Sequence, residues 1–72
     1  MENNLKCDSP SLIMAPFSVM VGDGTGVGSC GTLAKACKVA AQYPHGYVMD
    51  RYYNTFNVDG TLREAGPFGM PK

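Results

Sequence analysis

The sequence predicts an α+β domain in which a small antiparallel sheet, in ββαββ order, has one helix packed on one face. The 72 residues suffice for one small domain and exclude a barrel or a full dinucleotide-binding fold. Residues 31–42 place apolar side chains at helical spacing, and the segments on either side are rich in strand formers. Asp-Gly pairs interrupt those segments, and such turns join antiparallel neighbours.

The first strand is predicted at residues 17–21. Residues 12–15 continue it irregularly, because Pro16 has no N–H for the ladder. Its odd positions form one apolar face. The even face is also apolar, with Leu12, Met14 and Met20. Exposed apolar patches mark interfaces, so we expect Met14 and Met20 to contact a partner.

The second strand and the helix follow a glycine-rich turn. Residues 22–26 supply the turn, and Val27 to Cys30 return as a short strand. The helix is predicted over 31–42, where one face carries Leu33, Ala36, Cys37 and Ala40. Ser29 or Thr32 is expected to cap its start.

The C-terminal half is predicted to form a strand over 47–53 and a hairpin around Asp59-Gly60, which pairs the Phe56 side with 61–63. The chain is thereby divided into three parts. Residues 1–10 are expected to be a flexible lead, 11–65 the single folded domain, and 66–72 an irregular tail.

Charge and cysteine content restrict the class of protein. Six basic and six acidic residues balance, which argues against a dedicated nucleic-acid binder. Three cysteines, an odd number, and the lack of a signal-peptide core predict a reducing cytoplasm. The longest apolar stretch is about half of what a bilayer requires, so no membrane association is expected.

A glycine motif precedes the predicted helix. Gly26-Val27-Gly28-Ser29-Cys30-Gly31 matches G-x-G-x-x-G, and Asp50 lies 19 residues after Gly31. In dinucleotide sites the glycines admit the pyrophosphate and the carboxylate binds the ribose. The candidate nucleotide ligands are therefore Gly26, Gly28, Gly31 and Asp50. We favour a hairpin and a helix start here, because the chain lacks the strands of a dinucleotide fold.

No catalytic or metal constellation is evident. A zinc site would have to combine His45 with the cysteines, and the sequence contains no C-x-x-C pair. We therefore interpret the cysteines as small buried apolar residues: Cys7, Cys30 and Cys37. Cys30 and His45 flank opposite ends of the helix, about 20 Å apart, so they form no catalytic pair. We expect no cofactor, no metal and no enzymatic activity.

Aromatic and arginine residues give the second candidate site. On the predicted strand 47–53, Met49, Arg51 and Tyr53 share one face with Tyr47, and Arg63 follows on the hairpin. Such residues anchor protein interfaces or stack single-stranded bases. The zero net charge favours a protein partner, with a homodimer as an option and nucleic acid less favoured.

The helix and the C-terminal hairpin resemble a small uncharacterised family of bacterial and phage domains with a ββαββ plan. The similarity covers residues 12–69, and the matching residues are Thr32, Ala34, Ala40-Ala41, Gly46, Asp59 to Glu64 and Phe68-Gly69. The general plan is also similar to that of small phage inhibitors of CRISPR defence (anti-CRISPR proteins). The resemblance implies a non-enzymatic module that inhibits a host protein in the cytoplasm of a bacterial host cell.

Two functions follow from the sequence. The favoured one is a protein-binding module of a phage or mobile element, acting through Met14, Met20, Met49, Arg51, Tyr53 and Arg63. The alternative is a nucleotide or single-stranded nucleic-acid binder that uses the Gly26–Gly31 loop or the aromatic strand face.

Overall fold

An antiparallel sheet and one helix form the part of the chain that this computed structural model describes, residues 6–12 and 14–67. The elements are β1 Phe17–Met20, β2 Gly26–Cys30, α1 Leu33–Ala40, β3 Tyr47–Met49, β4 Thr55–Phe56 and β5 Leu62–Glu64. The strand order in the sheet is β2-β1-β3-β4-β5. The predicted α+β class is confirmed, and the described residues contain one strand more than the four predicted.

The extra strand arises because the predicted strand 47–53 ends early. β3 stops at Met49, and Asp50 then accepts the N–H groups of Tyr52 and Asn54 with its carboxylate. A side chain that bonds the backbone two residues on replaces ladder bonds with a turn. The prediction of a strand over 50–53 is therefore wrong, and the chain reverses into β4.

The two predicted glycine turns are present. Gly24 and Gly60 adopt φ angles of 91° and 90°, which a side chain disfavours. In each turn an aspartate accepts an N–H two residues on, Asp23 from Thr25 and Asp59 from Thr61. These local bonds make the β1–β2 and β4–β5 connections tight.

The helix is shorter than predicted. Thr32 is the N-cap, and its hydroxyl accepts the N–H of Lys35 at 3.2 Å. Ser29, the other predicted cap, lies inside β2 instead. The helix packs on the sheet face of Val19 and Val48, which are register partners on β1 and β3. This layer forms the core, which comprises Val19, Cys30, Ala36, Cys37, Val39, Ala40, Val48 and Phe56.

The N-terminal segment wraps around the β2 edge onto the other sheet face. Ser9 and Ser29 exchange two backbone hydrogen bonds of 3.0 and 2.9 Å. The buried Ser29 hydroxyl then donates to the Ser11 carbonyl oxygen and accepts the Ala15 N–H. Part of the predicted lead, around Ser9, is thus attached to the sheet. We refer to residues 7–12 as the edge segment.

Candidate functional site

A cleft opens on the sheet face opposite the helix. It has a volume of about 230 Å³. The residues that line it are Ala15, Pro16, Ser18, Met49, Asp50, Arg51 and Tyr53. Three predicted partner-binding residues, Met49, Arg51 and Tyr53, therefore meet in what we term the Tyr53 cleft. Met49 reaches it from β3, whereas Arg51 and Tyr53 reach it from the turn, not from the strand face that was predicted.

The turn between β3 and β4 is held by a dense set of hydrogen bonds. The Asp50 carboxylate accepts from Tyr52 N at 2.8 Å, Asn54 N at 3.0 Å and Asn54 Nδ2 at 3.2 Å. Asn54 is fully buried, and its Oδ1 accepts the Gly66 N–H at 2.7 Å. This network fixes residues 50–54 as a platform for the cleft. It also engages the carboxylate that the sequence suggested as a ribose ligand.

Tyr53 occupies the left-handed backbone region, with a φ of 66°. For a residue with a Cβ this conformation costs about 1–2 kcal/mol, and glycine would relieve it. The Tyr53 side chain is nevertheless 56 % exposed. Strained residues of this kind cluster at binding sites, where the surrounding structure holds them in place.

The remaining predicted contact residues are not among those that line the Tyr53 cleft. Met14 is 70 % exposed, but Met20 is only 7 % exposed, so the expectation that Met20 is accessible is wrong. Met20 is paired with Gly26, and the Leu12 side chain lies over that glycine. The edge segment thus covers one end of the face that the strand pattern left open.

Arg63 contributes to a second groove. Its guanidinium carbon lies 4.6 Å from the centre of the Tyr47 ring, in a cation–π contact, and its Nη1 donates to Thr55 Oγ1 at 3.5 Å. The groove has a volume of about 710 Å³. Its lining is Val21, Gly22, Asp23, Tyr43, Pro44, His45, Gly46, Asn57 and Arg63. Arg63 therefore lines a different groove from Met49, Arg51 and Tyr53.

The edge segment packs closely against two of the three G-x-G-x-x-G glycines. A Cβ on Gly26 would lie 2.4 Å from Leu12 Cδ1, and one on Gly28 would lie 2.5 Å from the Ser9 carbonyl oxygen. These glycines make room for protein backbone and side chains, as glycine does where chains approach closely.

The anion position at the helix start is occupied by the chain itself. Gly31 N–H donates to Asp8 Oδ2 at 2.7 Å, and Asp8 also pairs with Lys35. The Lys35 contact and the Gly31 N–H hold the pKa of Asp8 below its usual range. Asp50 lies two strands away in the sheet, about 10 Å at the usual strand spacing. The structure therefore does not assemble the four candidate nucleotide ligands into one site.

Replacing Gly28 with alanine is expected to displace the edge segment and to lower the free energy of unfolding by about 2 kcal/mol, because the new Cβ overlaps backbone that cannot rotate away. Urea unfolding followed by circular dichroism checks this loss. Gly31→Ala is the matched control within the motif, since its Cβ would meet Asp8 Oδ2 at an ordinary 3.5 Å. Equal losses in the two variants would contradict the packing role of Gly28.

No family model, curated protein or solved structure matches this chain. The resemblance to small ββαββ domains and to phage inhibitors accordingly stays a prediction. Within residues 6–12 and 14–67, no helix has the length and apolarity that a bilayer crossing requires. Phe68-Gly69 and most of the predicted tail lie outside the described residues.

The cysteines and the histidine are not brought together as a catalytic or metal site in the part of the chain that the structure describes. Cys30 is buried in the core, whereas His45 lies in the loop after α1, with its Cβ against Gly22. No group of three potential metal ligands occurs among the described residues. Cys37 Sγ lies 3.5 Å from the Asn57 carbonyl oxygen, and burial raises the pKa of the Cys37 thiol.

Two residues important for the site were missed in the sequence. Asn54 holds the turn of the Tyr53 cleft, and Asp8 holds the edge segment at the helix start. Asn54 had a detectable signal, because Asp50 and Asn54 are turn formers at the ends of a five-residue stretch. Asp8 had none, since its partners Gly31 and Lys35 are 23 and 27 residues away.

Proposed function

We propose that this chain is a non-enzymatic protein-binding module that takes a segment of its partner into the Tyr53 cleft. The observation that carries the proposal is the backbone of Tyr53. A half-exposed aromatic residue occupies a left-handed position at the cleft where glycine would be less strained. An exposed ring held in this conformation beside a cleft supports a role in binding.

The lining of the Tyr53 cleft points to the chemistry of its occupant. About 230 Å³ is roughly the space of eight waters at ~30 Å³ each, which suits one large apolar side chain. Pro16, Met49 and Tyr53 supply the apolar walls. Arg51 is exposed and forms no ion pair among the residues that the structure describes. The occupant is therefore a large apolar or aromatic side chain next to a carboxylate.

The residue types agree with a protein interface. Tyrosine and arginine are enriched among the side chains that contribute most to protein binding. The 50–54 turn is already held by the Asp50 and Asn54 hydrogen bonds, so little ordering is needed when a partner binds. A preformed cleft of this kind supports recognition of a short peptide segment.

A random-peptide display library tests the proposal. Selection on the full chain is expected to enrich peptides that carry an aromatic or large aliphatic residue beside Asp or Glu. The affinity of a selected peptide should fall at least about tenfold in Arg51→Glu, which loses the ion pair, and in Tyr53→Gly, which loses the apolar wall. Fluorescence anisotropy with labelled peptide measures both changes.

Lys38→Glu is the matched control for charge reversal, because Lys38 lies exposed in the last turn of the helix on the other side of the sheet. Its affinity should equal that of the unaltered chain. The proposal fails if no peptide is enriched, or if Arg51→Glu and Lys38→Glu weaken binding equally. The remaining option is a homodimer, which sedimentation at increasing protein concentration would detect. In that case Arg51→Glu and Tyr53→Gly should abolish self-association.

Single-stranded nucleic acid is the second candidate. The aromatic ring of Tyr47 is covered by the Arg63 guanidinium, so it offers less surface for a stacked base. Titration with short oligonucleotides, followed by the amide signals of β3, distinguishes this function from peptide binding. Inhibition of a host protein by a phage or mobile element stays a prediction until a partner is known.

A further inference from the structure

Two cysteine thiols lie close together at the β2 edge. Cys7, in the edge segment, packs against the core, and its Sγ lies 2.8 Å from the position that a Cβ on Gly28 would take. Cys30 follows two residues later on the same strand and faces the same side. The Cys30 thiol is near enough to contribute to the raised pKa of the Cys7 thiol.

We propose that Cys7 and Cys30 form a site of reversible oxidation, at which an internal disulfide fastens the edge segment to β2. The inference is independent of the peptide-binding function. It rests on the spatial pairing of two thiols that are 23 positions apart in the sequence.

The surrounding backbone holds the two sulfur atoms close together. The two hydrogen bonds between Ser9 and Ser29 fix the edge segment against β2 beside the thiols. Gly28 has no side chain and leaves the space that Cys7 occupies. Since the two thiols are neighbours on the same side of β2, an S–S bond of about 2.05 Å would join side chains that already lie close together.

The third cysteine has a different environment. Cys37 is on the helix, and its thiol contacts the Asn57 carbonyl oxygen near the β4–β5 hairpin. Cys37 is not part of the Cys7–Cys30 pair, and all three cysteines are free thiols in the structure. Cys37 is therefore an internal control for selectivity.

The oxidant class is a small disulfide such as oxidised glutathione. The Cys7 thiolate, the more accessible of the pair, attacks one sulfur and releases a glutathione thiolate, which leaves a mixed disulfide. The Cys30 thiolate then attacks the Cys7 sulfur and releases the second glutathione. The protein loses two protons and two electrons, and oxidised glutathione becomes two glutathione molecules.

The local electrostatics determine the pH dependence of this step. Burial, the neighbouring Cys30 and the Asp8 carboxylate raise the pKa of the Cys7 thiol, and Lys35, the smallest of these influences, lowers it. Because the thiolate is the reactive form, the rate should increase as the pH rises toward that pKa. The reaction is thus expected to be slow at neutral pH and faster in mildly alkaline solution.

The experiment treats the full chain with oxidised glutathione and follows its intact mass. We expect the loss of two hydrogens, a Cys7–Cys30 cross-link in a peptide map, and recovery of the original mass with dithiothreitol. Cys37→Ser should oxidise like the unaltered chain. Cys7→Ser should form no internal disulfide, and Cys30→Ser should stop at the glutathione adduct on Cys7.

A second measurement covers the case in which a variant fails to fold. In the unaltered chain, oxidation should slow hydrogen exchange at the Ser9 and Ser29 amides at least about tenfold, because both lie inside the fastened edge. A cross-link that includes Cys37, dimers linked between chains, or stable glutathione adducts without an internal disulfide would each overturn the proposal.

Discussion

Replacing Asn54 with leucine is expected to lower the free energy of unfolding by about 3 kcal/mol, because the change leaves buried polar partners without hydrogen bonds. The Asn54 side chain donates to Asp50 and accepts from Gly66, and it is fully buried. A chain of this length has a total stability of roughly 4–11 kcal/mol, so the loss is a large part of it. Urea unfolding monitored by circular dichroism measures the change.

Asn57→Leu is the matched control for this prediction. Asn57 also sits at a turn and donates to a side chain, Thr61 Oγ1, but it is exposed, so water replaces the lost bond. Its stability should change by less than about 1 kcal/mol. Comparable losses in the two variants would show that burial of Asn54 is not what makes it important.

Replacing Gly46 with alanine is expected to lower the free energy of unfolding by about 3 kcal/mol, at the upper end of the usual overpacking cost. The new Cβ would lie 2.1 Å from the carbonyl oxygen of Ala40 and 2.9 Å from its carbonyl carbon. Both are backbone atoms at the end of α1, so β3 would have to move away from the helix. Thermal unfolding by calorimetry measures the effect.

Gly24→Ala separates this steric cost from conformational cost. Gly24 has a φ of 91° but no atom within 4 Å of its new Cβ, so only backbone strain opposes the change. That strain costs about 1–2 kcal/mol. If Gly46→Ala proved no more destabilising than Gly24→Ala, the contact with Ala40 would not limit the approach of helix and sheet.

The elements set by local signals could be predicted well. Asp59-Gly60 predicted the β4–β5 hairpin because an Asx bond and a positive φ lie within four residues. Thr32 and the apolar spacing of Ala36 and Ala40 predicted the capped helix and its buried face for the same reason. The pattern of strand-forming residues was misleading around Asp50. Its neighbours favour a strand, but its carboxylate stabilises a turn.

The candidate site could be predicted only in part. Met49, Arg51 and Tyr53 do share a cleft, although the strand alternation that grouped them ends at Met49. Met20 was placed on the correct face of β1 but with the wrong exposure. The residue types and their alternation between the two sheet faces could be read from the sequence. What covers this face, the chain near position 12, could not.

By itself, the sequence determined the α+β class, the helix, the turns and the residues with interface chemistry, because these depend on interactions over a few positions. Only the tertiary structure decided the role of the glycines, the burial of Met20 and the pairing of Cys7 with Cys30. Each of these depends on the edge segment crossing β2. Contacts between residues about 20 positions apart leave no periodic pattern in the sequence, since they are selected by the packing of the whole sheet.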